Sequence, residues 1–376
     1  MDVIILPKVE TLEIQDFIAD LGRSFGFDVE KESSVLKKDK QYSPIADVVW
    51  YLDLSKYFKL ESCSPLFEEK PIWLDLINRI PFAGFEIEGS TTSSKNQISN
   101  FANLYLSQCL FKFVIVNNTG AGKENDTYRR GIKINHYFQD LIGSKNIIFA
   151  DWSHIVQSAK NVHYSEGETK VNKSSQIKVA RGTFGGETAS VKIYEKVLPY
   201  LLNSGLEIKQ NYSPEQYSWD YFLKTYMYSL AKSDNQLFDF YFKKQGYIEP
   251  VKKEMRKLTK PSDSYYIPKI DVVAGFNVPI VFIKWLKAIG EQLENDVIHY
   301  PLLFSMIYND LSSIFVPAIS MEIETTVSKH LNGGIINMSR NSFVGILAAK
   351  KEAVSHLKTY RDYLGCANVL FYQWEE

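Results

Sequence analysis

Cysteine is scarce. The chain of 376 residues has three, Cys63, Cys109 and Cys366, scattered and without the spacing of a zinc site. That usage points to a reducing compartment, and the cytoplasm is the expected location. Net charge is nearly absent as well, with 43 Lys and Arg against 44 Asp and Glu. A nucleic-acid partner would therefore have to be met by local basic clusters rather than by an overall field. No apolar run is long enough to span a bilayer, so no membrane partner is expected. The start, Met1-Asp2-Val3-Ile4, lacks the basic and apolar segments of a signal peptide. The six histidines form no metal spacing or nucleophile pairing, and His154 and His330 read as ordinary surface or internally satisfied residues.

What is abundant is apolar and aromatic. Hydrophobic residues make up 45%, with 23 Tyr and 23 Phe, enough to build real cores in a chain long enough for two domains. Periodicity predicts a helix over 9–24, with Leu12, Phe17, Ile18 and Leu21 as its apolar stripe. Strands follow at Phe27–Glu30 and Asp47–Leu52, then a helix over Trp73–Arg79. Pro81 ends that helix and starts the strand carrying Glu86. The Ser and Thr run after Gly89 favours a helix cap, and a helix over Lys95–Gln108 follows, with Ile98, Phe101, Ala102 and Tyr105 on one side. Next come a buried strand at Leu110–Val116, a helix over Arg129–Leu141 and a strand at Ile147–Trp152. Helices alternating with strands in this way indicate a layered α/β domain.

Within that order, Phe85-Glu86-Ile87-Glu88-Gly89-Ser90 stands out. In a strand, residues i and i+2 share a face, so Glu86 and Glu88 project together while Ile87 turns the other way. Two carboxylates side by side repel, and a divalent cation that prefers oxygen ligands offsets the repulsion. Asp47, on the strand before, supplies a third acid. An exposed, solvated strand face would account for one such pair.

The pattern then restarts. After a polar segment over 153–232, with helices expected at 188–203 and 214–231, a helix is read at Gln236–Lys244, and Gly246-Tyr247-Ile248-Glu249 resembles Gly26–Glu30. Tyr266-Ile267-Pro268-Lys269-Ile270-Asp271-Val272-Val273 matches Tyr42-Ser43-Pro44-Ile45-Ala46-Asp47-Val48-Val49. Glu322-Ile323-Glu324, followed by Lys329, matches Glu86-Ile87-Glu88, followed by Lys95. Phe343–Leu347 matches Phe113–Val116, Asn368 falls with Asn146, and Trp374 with Trp152. One consistent order of matches reads as a tandem duplication. The expected architecture is α/β: core 1 over 1–152, a polar and partly helical joining segment over 153–232, and core 2 over 233–376.

An Asp on one strand and Glu-x-(acid or Lys) on the next, in an α-β-β-β-α-β order, resembles the PD-(D/E)XK nuclease superfamily, whose best-known members are restriction endonucleases. The resemblance covers 9–152 and 233–376. Two features depart from the motif. The Pro lies three residues before the Asp, and Glu88 and Glu324 stand where the Lys usually is, a Glu-x-Glu variant that some of these enzymes carry. The resemblance implies restriction-endonuclease-like cores and Mg2+-dependent hydrolysis of double-stranded DNA, as in a type II restriction endonuclease. Asp47, Glu86 and Glu88, and again Asp271, Glu322 and Glu324, would be the metal-binding and catalytic acids. Lys95 and Lys329, each opening the next helix, are candidate substitutes for the missing cation.

Basic residues near the acids are candidate DNA contacts: Arg129 and Arg130, then Lys170, Lys173, Lys178 and Arg181, and the denser Lys252, Lys253, Arg256 and Lys257. The stretch Asn117–Glu124 resembles a phosphate-binding loop but lacks its first Gly and its Ser or Thr, so a nucleotide site is rejected. Two cores in one chain allow a monomer to cut both strands, and an oligomer is also allowed. Two rival readings remain: a DNA-binding protein with vestigial acids, and a duplicated α/β interaction protein.

Overall fold

A computed structural model describes residues 10–34, 44–54, 79–117, 126–142, 146–163, 238–242, 272–308, 314–324 and 331–374. It is mixed α/β, built on two open five-stranded sheets, with the strands of each in chain order. The chain divides into two compact units. One comprises Met1–Asp53, Arg79–Val171 and Pro279–Ile314, and the other Leu54–Asn78, Asn172–Val278 and Phe315–Glu376.

The first unit opens with helix α1 (Thr11–Ser24), started by a capping box in which the Glu10 amide donates to Glu13. Gly26, at φ 88°, turns the chain out of it. Strands β1 (Asp28–Ser34), β2 (Ile45–Asp53) and β3 (Arg79–Glu88) follow as an antiparallel meander. Helix α2 (Ser94–Leu106), capped by the Ser93 hydroxyl, leads to β4 (Phe111–Val116). Helix α3 (Asp126–Asp140) leads to β5 (Ile147–Asp151), and α4 (Trp152–His163) continues directly. Strands β3, β4 and β5 are parallel. Among the described residues, the helix–strand order up to β5 is the order read from the sequence, apart from the helix expected over Trp73–Arg79.

Several local expectations are corrected. Leu12 is 64% exposed, and Ile14, Ile18 and Leu21 form the buried face of α1. In α2 the buried residues are Gln97, Phe101 and Leu104, while Ile98 and Tyr105 face solvent. Arg79 already belongs to β3, so the helix expected over Trp73–Arg79 does not reach it; 73–78 lie outside the described residues. Pro81 sits within β3 opposite Tyr51, where the register shifts between Trp50 and Tyr51. A proline has no amide hydrogen for the ladder, and a bulge is where a sheet tolerates that loss.

Sheet 1 packs on both faces. On one side α2 and α3 cover Val49, Val114 and Phe149. A Cβ on Gly131 would stand 2.2 Å from the Phe149 ring, so the glycine sets the close approach of α3. On the other side lies an aromatic layer. Trp50 packs on Phe85 with ring centroids 4.7 Å apart, and Phe85 stacks on Phe113 at 4.8 Å. This layer is closed by residues far along the chain, on helix α5 (Ile280–Gln292). Trp285 meets Trp50 at 5.5 Å and Phe113 at 5.3 Å, and Phe282 meets Phe82 at 4.7 Å. A 3-10 helix (Glu294–His299) and α6 (Pro301–Tyr308) continue within the same unit. The span 279–314 thus completes the first core, although it falls within the 233–376 stretch of sequence.

In the second unit, Phe238–Phe242 is strand β6, not part of a helix. Phe238, Phe240 and Phe242 alternate with Asp239 and Tyr241, a period of two in residues that favour sheets. It pairs with β7 (Val272–Asn277), which pairs with β8 (Phe315–Glu324), both antiparallel. The Gly246–Glu249 stretch and the helices expected at 188–203 and 214–231 lie outside the described residues. Helix α7 (Leu331–Asn341), β9 (Val344–Lys350), α8 (Lys351–Tyr363) and β10 (Val369–Trp374) follow among the described residues, with β8, β9 and β10 parallel. Pro317 faces Gly275 at a register shift, as Pro81 faces Tyr51. Met321 faces Ile346, as Phe85 faces Phe113, so Ile346 and not Phe343 holds that sheet position. No helix among the described residues is long and apolar enough to cross a membrane.

Trp285 is fully buried. Trp285→Ala is expected to lower unfolding stability by about 3–5 kcal/mol, from lost burial plus the cavity left behind. Ile298→Ala, at a residue 65% exposed, should change it by less than about 0.5 kcal/mol. Urea unfolding of the two variants checks the contrast.

Candidate functional site

The aromatic layer fixes which way β3 faces. Phe85 and Ile87 alternate with Gly84, Glu86 and Glu88 along the strand, so the acids lie on the α2 side. A Cβ on Gly84 would stand 2.7 Å from Cys109 Sγ, which marks that side as closely covered. Val48 pairs with Phe85, which puts Asp47 across from Glu86 on the neighbouring strand. Asp47 Oδ2 accepts the Ile87 amide at 2.7 Å and ties the two strands at the level of the acids. Asp47 therefore stands across from Glu86, and Glu88 follows two residues on along the same face of β3, the alternation expected for the two glutamates.

The rival reading of a solvated strand face fails here. Glu86 is 5% exposed and Glu88 1%. Burial, then the charge of Asp47, pushes the Glu86 carboxyl up to about 9, with a hydrogen bond from Asn103 opposing and Glu88 adding to the rise. Burial also raises Glu88, against hydrogen bonds from Gln97 and Asn100 and the positive charge of Arg130. Asp47 is raised by burial, lowered by the Ile87 amide and raised again by Glu32. Glu86 Oε1 is buried without a hydrogen-bond partner, a costly state for a polar atom.

Three amides on α2 meet these acids. Gln97 Nε2 donates to Glu88 Oε2 at 2.6 Å and to the Thr127 carbonyl at 2.9 Å. Asn100 Nδ2 reaches Glu88 Oε1 at 3.4 Å, and Asn103 serves Glu86. Gln97, Asn100 and Asn103 recur every third residue, so they line one side of the helix. Sequence reasoning missed them because it traced the apolar stripe. The available signal was three amides in register with Phe101 and Leu104. Arg130, expected as a DNA contact, is half-buried and joined to this set, whereas Arg129 and Lys95 are exposed.

Among the described residues, no three His, Cys, Asp or Glu side chains already converge as a metal-binding group. The donors nonetheless suit a hard divalent cation. Asp47 and Glu86 offer carboxylate oxygens side by side, and Glu86 Oε1 is an orphaned acceptor. Glu88 is engaged by amides on both oxygens.

In the second unit, Glu322 and Glu324 occupy β8 as Glu86 and Glu88 occupy β3. A Cβ on Gly334 would stand 2.5 Å from Glu322 Oε2, so α7 approaches that acid with bare backbone. Asp271, Lys329, Lys170, Lys173, Lys178, Arg181, Lys252, Lys253, Arg256 and Lys257 lie outside the described residues. His154 departs from the expectation of a surface or satisfied histidine. It is half-buried, its Nδ1 has no partner, and burial lowers its pKa despite the neighbouring charges of Asp151, Asp296 and Glu294.

The Glu86 shift sets a pH dependence. A folded-state pKa of about 9 lies above the ordinary 4.5. The stability gained from the protonated form is complete below the unfolded value and is lost as pH rises through about 9. In metal-free protein, wild type should lose Tm relative to Glu86→Gln as pH rises from the acid side toward 9. Parallel melting curves across that range would contradict the shift. No protein-family model, curated protein or solved structure matches the chain.

Proposed function

We propose that the chain is a Mg2+-dependent endonuclease of double-stranded DNA, of the type II restriction kind, built on two related PD-(D/E)XK-like cores. The observation that carries this reading is the buried Glu86, with a partnerless carboxylate oxygen, beside Asp47 at the end of the first parallel strand. A buried acid pair is costly unless a cation or a proton neutralises it. The common strand order, pairing directions and bulge position of the two sheets support the duplication.

Asp47 and Glu86 would hold the cation in the first unit, with Asp271, Glu322 and Glu324 as the counterpart set in the second. A bound divalent cation supplies polarisation of the scissile phosphate and a lower pKa for attacking water. By holding the cation, Asp47 and Glu86 would set where the phosphate is placed, and Glu88, held by Gln97 and Asn100, keeps α2 against β3. Hydrolysis forms a bond from water oxygen to phosphorus and breaks the bond to the departing nucleotide oxygen, which takes up a proton. The basic groups Arg129, Lys170, Lys173, Lys178, Arg181, Lys252, Lys253, Arg256 and Lys257 are the proposed contacts to the DNA backbone.

Plasmid and genomic DNA incubated with the full chain and Mg2+ test the reading. Glu86→Ala combined with Glu322→Ala should abolish cleavage and leave DNA binding largely intact. If each unit cuts one strand, Asp47→Ala converts linear product into nicked circles. Linear product at the wild-type rate would remove the first unit from the chemistry. Loss of all cutting would make the two acid sets interdependent. DNA bound in a salt-dependent way but never cut by wild type would favour a binding protein with vestigial acids.

A further inference from the structure

Three carboxylates and a phosphodiester carry more negative charge than one divalent cation offsets, so the proposed site calls for a further positive group. Lys95 is exposed in the first turn of α2 and makes no hydrogen bond or ion pair with the acids among the described residues. Arg130 is tied into the cluster. Its Nε donates to Gln97 Oε1 at 3.1 Å, and Gln97 in turn donates to Glu88 at 2.6 Å. Its Nη2 donates to the Thr92 carbonyl at 2.6 Å and to Thr127 Oγ1 at 3.3 Å. Thr127 Oγ1 donates to the Ser90 carbonyl at 2.6 Å, which pins the turn leaving β3. These contacts hold one edge of the guanidinium rigid, and Nη1 has no hydrogen-bond partner among the described residues. A planar fork with one side anchored and the other open is pre-organised for an oxyanion.

We propose that Arg130 contacts the scissile phosphodiester through Nη1, as the cation of the first unit's site rather than as a remote backbone contact; this rests on the nuclease reading above. Gln97 is the positioning residue that couples it to Glu88. The arrangement anchors the arginine through Gln97 to Glu88, two residues along β3 from the proposed cation-binding Glu86, so that positive charge would meet the phosphate from a second side.

The test uses the full chain with Arg130→Gln, Arg130→Lys and, as a control on the same helix, Lys133→Gln. Cleavage of genomic DNA is followed at saturating protein with Mg2+, DNA affinity is measured in EDTA, and Tm is recorded. Arg130→Gln should slow cleavage by about 10²-fold or more at near-normal affinity and Tm. Arg130→Lys should recover part of the rate, and Lys133→Gln should match wild type. A wild-type rate for Arg130→Gln, or a loss confined to affinity, overturns the role. Should Arg130→Gln not fold, Arg130→Lys decides: a full wild-type rate overturns it, because one ammonium cannot keep the anchors and also meet the phosphate. A second readout does not need cleavage. Titrating dimethyl phosphate should shift the Arg130 side-chain 15Nε resonance in wild type. If wild type cuts no DNA, the nuclease reading fails; a shift then retains the phosphodiester contact, and an unmoved resonance removes it.

Discussion

The site of the first unit depends on the aromatic packing beneath β3. Phe85 is held between Trp50, Phe113 and Trp285. Because strand side chains alternate, anchoring Phe85 on that face forces Glu86 to the other. A slip of one residue would bury the acids among rings and expose the rings to α2. The layer is completed by Phe282 and Trp285, nearly two hundred residues after β3, so the geometry of the acids depends on a late part of the chain.

Burial then determines the chemistry of the acids. Glu86, Glu88 and Asp47 all lose hydration, and in each case burial is the largest cause of the raised pKa. The responses differ from one acid to the next. Asp47 is tied to the Ile87 amide, Glu88 is ringed by Gln97, Asn100 and the charge of Arg130, and Glu86 keeps one oxygen without a partner. Three similar residues thus carry three different assignments: a strand tie, a helix anchor and an open acceptor. The amides supply dipoles without adding net charge, which suits a place where further negative charge would be costly.

The two sheets share their pairing directions, their register and the proline at the bulge, yet the helices beside the acids differ. Buried Ile335 and Met338 on α7 match Phe101 and Leu104 on α2. In that register Leu331 and Gly334 stand where α2 carries Gln97 and Asn100. Gly334 brings bare backbone close to Glu322, whereas Asn100 at the matching place on α2 reaches Glu88 with its amide. Equal strand frames therefore hold unequal surroundings for their acids.

Much of this was legible in the sequence, because it follows from local rules. Alternation put Glu86 and Glu88 on one face and the Asp47 strand beside them, and the Ser-rich run after Gly89 marked the cap at Ser93. Element order to β5 followed from periodicity alone. Errors came where a local signal had a rival. Leu12 and Ile98 lie on apolar stripes yet face solvent, because neighbouring elements settle which arc of an amphipathic helix is covered. Phe238–Phe242 suits either a helix or a strand over so short a run, and pairing with β7 decides for the strand. The sequence by itself determined the strand faces, the carboxylate set and the repeat of its pattern, all of which depend on spacing along one element. Tertiary structure alone decided that the acids are buried, that Gln97 and Arg130 serve them, and that Trp285 closes the core beneath them. Those contacts join residues distant in sequence, and no spacing rule encodes them.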